Sequence, residues 1–249
     1  MLKEERFEII LKKLELEGNV TYQGFTSVLD VSEDTVRRDI DYLHKNGLLT
    51  KVRGGALLRS KDPLSFQERE SISTKEKDVI ALKAQQFIKN GMTIFMDGGT
   101  TICAIVNNLA KDTNIRVITN NPKLIPIIVD FPHIELIILG GKYYKDPAVT
   151  AGAGTCLEVN NYIADLYFLG TCALNHQEGV TAIYKEDAEV KRIMVKCSKK
   201  VIALADENKL RSKETFKACD IEHIDTIITN LPSNDEQLND FRGLDIQIV

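Results

Sequence analysis

Paired arginines at the start of a helix and glycine–threonine turns after strands are two ways for a chain to hold phosphate. Both occur here. Near the amino terminus, Ser32-Glu33-Asp34-Thr35-Val36-Arg37-Arg38 sets two guanidinium groups in a helix that Ser32 can cap. Their forked donors suit guanine edges and DNA phosphates alike. Glu33 and Asp34 can accept from a cytosine amino group, or can simply favour the positive end of the helix. Much later, Asp97-Gly98-Gly99-Thr100-Thr101 combines glycines that allow a tight turn with two hydroxyls at a helix start. Backbone N–H groups there can surround an anion. Thr119-Asn120-Asn121, Gly140-Gly141 and Asp206-Glu207-Asn208-Lys209 follow other apolar runs, and Lys209 can reach a phosphate. Each is commonplace alone, since a Gly-Gly after a strand is usually only a turn and Asp206 can be an ordinary cap. The first loop lacks the lysine of a nucleotide P-loop and does not match G-x-G-x-x-G.

The elements that carry these residues can be read from periodicity. Phe7, Ile10, Leu11 and Leu14 fall at helical spacing, and Gly18-Asn19 stops that helix. Tyr22 to Leu29 fits a second short helix. Val36, Ile40 and Leu43 form the buried stripe of a third. That stripe turns Asp34, Thr35, Arg38, Asp41 and Tyr42 outward and leaves Arg37 on the flank. Lys45-Asn46-Gly47 closes it. Leu48–Val52 and Ala56–Leu58 then read as two strands around the Arg53-Gly54-Gly55 turn. Three helices and a basic hairpin make a winged helix-turn-helix. Residues 1–60 hold ten basic and ten acidic side chains, yet Tyr42 to Lys61 has five cations, Lys51 and Arg53 among them, and no carboxylate. A charge run alone would fit a solvated helical bundle. Joined to a Ser-capped Arg-Arg helix and a Gly-Gly wing tip, it points to DNA.

Residues Arg59 to Ser71 show no clear period, and Pro63 marks a hinge. The expected division is a DNA-binding domain over 1–60, a linker over 61–73 and a larger domain over 74–249. Ser73-Thr74-Lys75-Glu76 reads as a capping box opening a helix with Ile80, Ala84, Phe87 and Ile88. Strands are expected at Thr93–Met96, Ile115–Ile118, Ile134–Leu139, Asp165–Leu169, Val201–Ala205 and Asp225–Ile228. Helices are expected at Thr101–Leu109, Pro122–Val129, Lys185–Lys196 and Ser212–Lys217. Apolar strands alternating with helices make an α/β fold with a mostly parallel sheet covered on both faces. In such sheets ligands gather beyond the strand ends, where all four polar segments fall.

Composition narrows the class. The net charge is −4, 43% of residues are hydrophobic and 27% charged, as in an ordinary soluble protein. Apolar runs such as Leu124–Val129 are too short to span a bilayer. Five dispersed cysteines without a C-x-x-C pair argue against a disulfide framework and a zinc knuckle. A cytoplasmic protein without metal or cofactor is expected.

The run VSEDTVRRDIDYLHKNGLLTKVRGGA resembles the helix-turn-helix signature of the DeoR family of bacterial regulators. The resemblance implies that Ser32, Glu33, Thr35, Arg37 and Arg38 meet double-stranded operator DNA, in the major groove that the helix enters, with Arg53 on the backbone; Lys51, in the basic wing, is expected to meet phosphates too. The resemblance continues through Asp97–Thr101, Thr119-Asn120, Gly140-Gly141 and Ala205–Lys209, and through Gly170-Thr171 followed by Gly179-Val180-Thr181. DeoR sensor domains are similar in fold to ribose-5-phosphate isomerase. The likeness implies a phosphorylated sugar with phosphate at Gly99, Thr100 and Thr101, Lys209 as counter-charge, and Asp97 or Asn120 near sugar hydroxyls. Gly98, Thr119, Gly141 and Asp206 complete the expected effector site. A homodimer or homotetramer is expected, because operators usually hold two half-sites.

An isomerase with a nucleic-acid-binding appendage is the alternative. Such an enzyme needs a carboxylate base to move a proton between sugar carbons. The related isomerases carry Gly-Ala-Asp-Glu where this chain has Gly170-Thr171-Cys172-Ala173. Their catalytic lysine and glutamate would fall near Ala182 and Lys191. A transcriptional repressor of a sugar-metabolism operon, with no catalytic residue, is therefore the expected function. A purely structural, oligomeric DNA-binding protein is the third possibility, and it predicts no ligand-induced stabilisation.

Overall fold

The computed structural model describes residues 3–45, 48–57 and 64–249, the side chains of Glu4, Glu15 and Lys45 excepted. Contacts divide the chain into two compact units, Met1–Ile72 and Ser73–Val249. Pro63, Arg59, Lys61 and the Asn46-Gly47 helix stop lie outside the described residues.

The first unit runs α1 (Lys3–Glu17), β1 (Asn19–Thr21), α2 (Tyr22–Leu29), α3 (Glu33–Lys45), β2 (Thr50–Val52), β3 (Gly55–Leu57) and α4 (Phe66–Ser71). Ile10, Leu14, Phe25, Leu29, Val36, Ile40 and Leu43 form its core, all at most 1% exposed. Asp30 turns the chain between α2 and α3 in a left-handed conformation (φ 50°). The wing has three strands, not two. β1 joins it antiparallel to β3, in the order β1-β3-β2. Three residues of strand are too few to read from alternation. The glycine at 55 permits the pairing, since a Cβ there would stand 2.2 Å from the Val20 carbonyl oxygen. The stretch expected to be irregular contains α4. Its capping box is Ser65 with Glu68, both bonds present. The box expected at Ser73 does not form: Ser73 adopts φ 51° and its hydroxyl caps nothing.

The second unit opens with α5 (Thr74–Ala84), then β4 (Thr93–Met96), α6 (Thr100–Asn107), β5 (Ile115–Thr119), α7 (Ile125–Ile128), β6 (Ile134–Ile138), β7 (Lys142–Tyr144), β8 (Val149–Ala151) and α8 (Ala153–Val159). It continues with β9 (Leu166–Gly170), β10 (Ala173–Asn175), β11 (Gly179–Ala182), α9 (Lys185–Lys196), β12 (Val201–Leu204), β13 (Phe216–Cys219), β14 (Thr226–Ile228) and β15 (Gln247–Ile248). Seven strands pair in the order β15-β14-β12-β9-β4-β5-β6, every neighbouring pair parallel. Phe95, Tyr167, Leu169 and Ala203 are fully buried and pack with Val190 and Met194 of α9. The helix expected over Ser212–Lys217 is absent. Phe216–Cys219 is instead a strand antiparallel to β11, whose partner is too distant in sequence to leave a local signal. α5 ends at Ala84 and passes into a 3-10 turn, and the segment from Pro122 is such a turn followed by α7. Among the described residues no helix is long and apolar enough to cross a membrane.

Candidate functional site

Helix α3 presents its residues as its stripe requires. Ser32 Oγ accepts from the Thr35 N–H at 3.3 Å, and Val36, Ile40 and Leu43 are fully buried. Arg37 and Arg38 are exposed, held by Glu33 (2.6 Å) and Asp34 (2.8 Å) one turn earlier. Arg37 also lies 4.3 Å from the Tyr22 ring centroid. On the wing, Lys51 pairs with Asp41, and Arg53 is exposed at the tip. Exposed pairs of this kind contribute about 0–1 kcal/mol, so DNA phosphates can replace the carboxylates at little cost. Tyr42 is 47% exposed but stacks on Phe7 at 5.0 Å. Sequence reading missed the buried ion pair beneath this helix. Arg6 of α1 clasps Asp39 with two bonds, 2.6 and 3.1 Å.

In the large sheet the strand order reverses at β4 and β9. β4, β5 and β6 step one way, and β9, β12 and β14 the other. In open parallel sheets the loops on either side of such a reversal part and leave a crevice at the carboxyl edge. Asp97–Thr101 leaves β4, Thr119–Asn121 leaves β5, Gly140-Gly141 follows β6, and Asp206–Lys209 follows β12. All four therefore lie along one edge. β12 is two strands from β4, roughly 10 Å at ordinary strand spacing.

Within the crevice the expected residues divide into two groups. Gly99 stands at φ 131° before α6, and the hydroxyls of Thr100 and Thr101 bond to no described residue. The first N–H groups of α6 likewise have no carbonyl inside the helix. Asn120 is fully buried. Its Nδ2 donates to the Thr150 carbonyl at 2.8 Å, while Oδ1 has no partner. Lys209 lies 3.2 Å from Asp206, whose other oxygen accepts from the Asn208 N–H.

The others brace the crevice. Asp97 is wholly buried and its carboxylate is fully engaged. Tyr167 donates to it at 2.6 Å, the Gly170 N–H at 2.9 Å and Lys191 at 2.5 Å. Both of its oxygens are thus engaged by the fold. Burial lifts its pKa to about 6 against the pull of Lys191. Burial also acts to lower the Lys191 ammonium, but Asp187 (3.4 Å) and Asp97 outweigh it and hold the pKa above the usual lysine value. Thr119 Oγ1 accepts from the Asn121 N–H and shapes a turn. At Gly141 a Cβ would meet Thr155 Oγ1 at 2.2 Å, so that glycine serves close packing. Gly170 is similarly constrained, since a Cβ there would stand 2.6 Å from the Gly98 carbonyl oxygen.

Lys191, Asp187 and Tyr167 were not foreseen as site residues. One signal existed: Asp187 and Lys191 stand four apart on the same helix face as Val190, Met194 and Val195, where apolar residues belong.

A capped helix-turn-helix with a wing, carried on a chain with a parallel α/β unit, defines a helix-turn-helix regulator. Residues 6–62 match the model of the DeoR-like helix-turn-helix domain, and residues 72–231 that of the DeoR C terminal sensor domain. The HTH-type transcriptional repressor GlcR of Bacillus subtilis (strain 168) is 31% identical over 253 residues, covering 100% of this chain and 97% of its own. The lactose phosphotransferase system repressor of Lactococcus lactis subsp. lactis is 34% identical over 246 residues, 97% of this chain and 96% of that one. Ribose 5 phosphate isomerase A from Neisseria gonorrhoeae overlaps 53% of this chain and 52% of its own at 20% identity, with a TM-score of 0.39, too slight to argue from. The chain belongs to the DeoR family of transcriptional regulators, and it is a regulator and not an enzyme.

Proposed function

We propose that the protein represses an operon of sugar metabolism in the cytoplasm and is controlled by a phosphorylated sugar bound at the crevice. Residues 1–60 bind double-stranded operator DNA, 61–73 link, and 74–249 sense. Two copies or four act together, since one winged helix covers a single half-site. The name of one relative, a lactose phosphotransferase system repressor, supports the sugar assignment. The observation that carries the effector reading is the α6 start. Two unpaired threonine hydroxyls and open N–H groups stand there beside the strand-order switch. Such a site favours a dianion. Lys209 supplies the counter-charge, Asp206 orients it, and Asn120 Oδ1 receives a sugar hydroxyl. Asp97 holds the loop in shape.

The test is Lys209→Ala. The variant is expected to bind operator as wild type does and to lose release by the sugar phosphate. Thr100→Ala should weaken release less, because a hydroxyl carries no charge. Release of Lys209→Ala at wild-type effector concentration, in gel-shift titrations, would refute the site.

On the DNA side, Ser32, Glu33, Thr35, Arg37 and Arg38 are assigned to the groove, and Lys51 and Arg53 to phosphates. Arg38→Ala is expected to cost about 1–3 kcal/mol of operator affinity and to relax the sequence preference at one position. Arg53→Ala should weaken all sequences alike and flatten the salt dependence. Anisotropy titrations against operator and scrambled duplexes distinguish the two patterns. An Arg37→Ala/Arg38→Ala variant, folded and binding as wild type, would remove the helix from the interface.

A further inference from the structure

The proposed phosphate seat is made of backbone N–H groups, hydroxyls and a lysine, none of which can tell one sugar from another. Something else beside the Gly98-Gly99 loop has to read the hydroxyls. The β7–β8 hairpin is folded onto that loop. A Cβ at Gly98 would stand 2.2 Å from Val149 Cγ1 and 3.8 Å from the Pro147 carbonyl oxygen. Only a glycine at 98 lets the hairpin come this close. The hairpin is also fastened from behind. The Thr150 N–H donates to the Asn120 carbonyl at 2.8 Å, Asn120 Nδ2 donates to the Thr150 carbonyl at 2.8 Å, and Thr150 Oγ1 donates to the Leu139 carbonyl at 2.6 Å. One strand of the hairpin is thus bonded to Asn120, whose Oδ1 has no partner.

The tip's backbone is held in one conformation. Ala148 holds φ 58° although it is not glycine, and it is 1% exposed. A left-handed residue that is not glycine persists when its surroundings dictate the backbone, a pattern that gathers at ligand clamps. Just before it, Lys145 and Asp146 project from the surface, and Pro147 is half-buried against the loop. A carboxylate accepts from sugar hydroxyls and an ammonium donates to them.

Resting on the proposed effector site, we infer that the β7–β8 hairpin is its selectivity element. Its tip, Lys145-Asp146-Pro147, reads the sugar portion, and the α6 start reads the phosphate. The phosphate seat fixes where the ligand enters, and the tip sets which hydroxyl pattern is accepted.

The experiment uses the full-length protein and the double variant Lys145→Ala/Asp146→Ala, both exposed positions that leave the folded core intact. Affinities are measured by calorimetry for inorganic phosphate and for a panel of aldose, ketose and polyol monophosphates of differing length. The expected result is an unchanged inorganic phosphate affinity with a re-ranked panel. The ratio between the best and second-best sugar phosphates should shift by about tenfold, the scale on which lost polar contacts change discrimination. An unchanged ranking overturns the inference and leaves the phosphate seat standing. Equal weakening of every ligand, inorganic phosphate included, also overturns it, since the hairpin would then only support the seat. If wild type binds no phosphorylated compound at all, the effector site falls first and the inference with it.

Discussion

Replacing Lys191 with methionine is expected to destabilise the larger unit by about 3–5 kcal/mol, because it strands two buried carboxyl groups without their shared cation. Lys191 is 2% exposed, 2.5 Å from Asp97 and 3.4 Å from Asp187. Its aliphatic stem has the volume of methionine, so little of the loss would come from packing. The pH dependence separates this account from a simple cavity. In the wild type the Asp97 pKa is raised from 3.8 to about 6, so the folded state binds its proton more tightly than the unfolded chain. Stability from that group is present below the unfolded value and falls as pH rises through the window up to about 6. Without the ammonium the folded pKa moves higher still, and the decline continues through neutrality. The variant should therefore come nearest the wild type in mild acid and fall furthest behind above pH 7. Urea midpoints measured on both proteins across that range provide the check. A loss of equal size at every pH would show that Lys191 acts only by filling space.

The second large effect is expected in the first unit. Arg6→Met removes the partner of Asp39, which is 3% exposed. Breaking a buried pair by one member costs about 3–5 kcal/mol, and the lower end applies because the Arg6 side chain keeps 14% of its exposure. A compact unit of this size is stable by only about 4–11 kcal/mol at 0.05–0.15 kcal/mol per residue. Operator binding should thus fail at a lower temperature than in the wild type, through unfolding and not through a lost DNA contact. Adding Asp39→Asn to Arg6→Met should recover part of the loss, since the orphaned charge is gone. Circular dichroism melts paired with operator titrations test this. If Arg6→Met melts as the wild type does, the pair contributes no net stability.

Several elements of the site were legible because their signals are local. The α3 cap, its buried stripe and its arginines lie within a few turns of one another. The Gly-Gly-Thr-Thr loop announces itself by residue type, and apolar strands between helices imply that such loops share one sheet edge. Thr100, Thr101 and Lys209 stand where that reading put them, at the edge beyond β4 and β12. The engagement of Asp97 was not legible, because type and spacing do not say which way a side chain points after its strand ends. Its partners Tyr167 and Lys191 are 70 and 94 residues away, beyond any periodic pattern. The third wing strand, β13 and the β7–β8 hairpin escaped for the same reason. Short strands exist only because a partner strand meets them, and a stretch of three or four residues carries too little alternation to be read alone.

By itself, then, the sequence determined the capped helix with its exposed arginines, the class of sheet, and the glycine–threonine and lysine segments at its edge. Each follows from steric preference, capping or burial within a short stretch of chain. Only the tertiary structure decided which polar groups are offered to a ligand and which are consumed by the fold. Thr100 and Thr101 were left unpaired, while Asp97 was enclosed with Lys191 and Tyr167. The physical reason is that a charge removed from water must find its counter-charge wherever the chain brings one. That choice depends on distances between remote strands and helices, which exist only once the sheet has assembled.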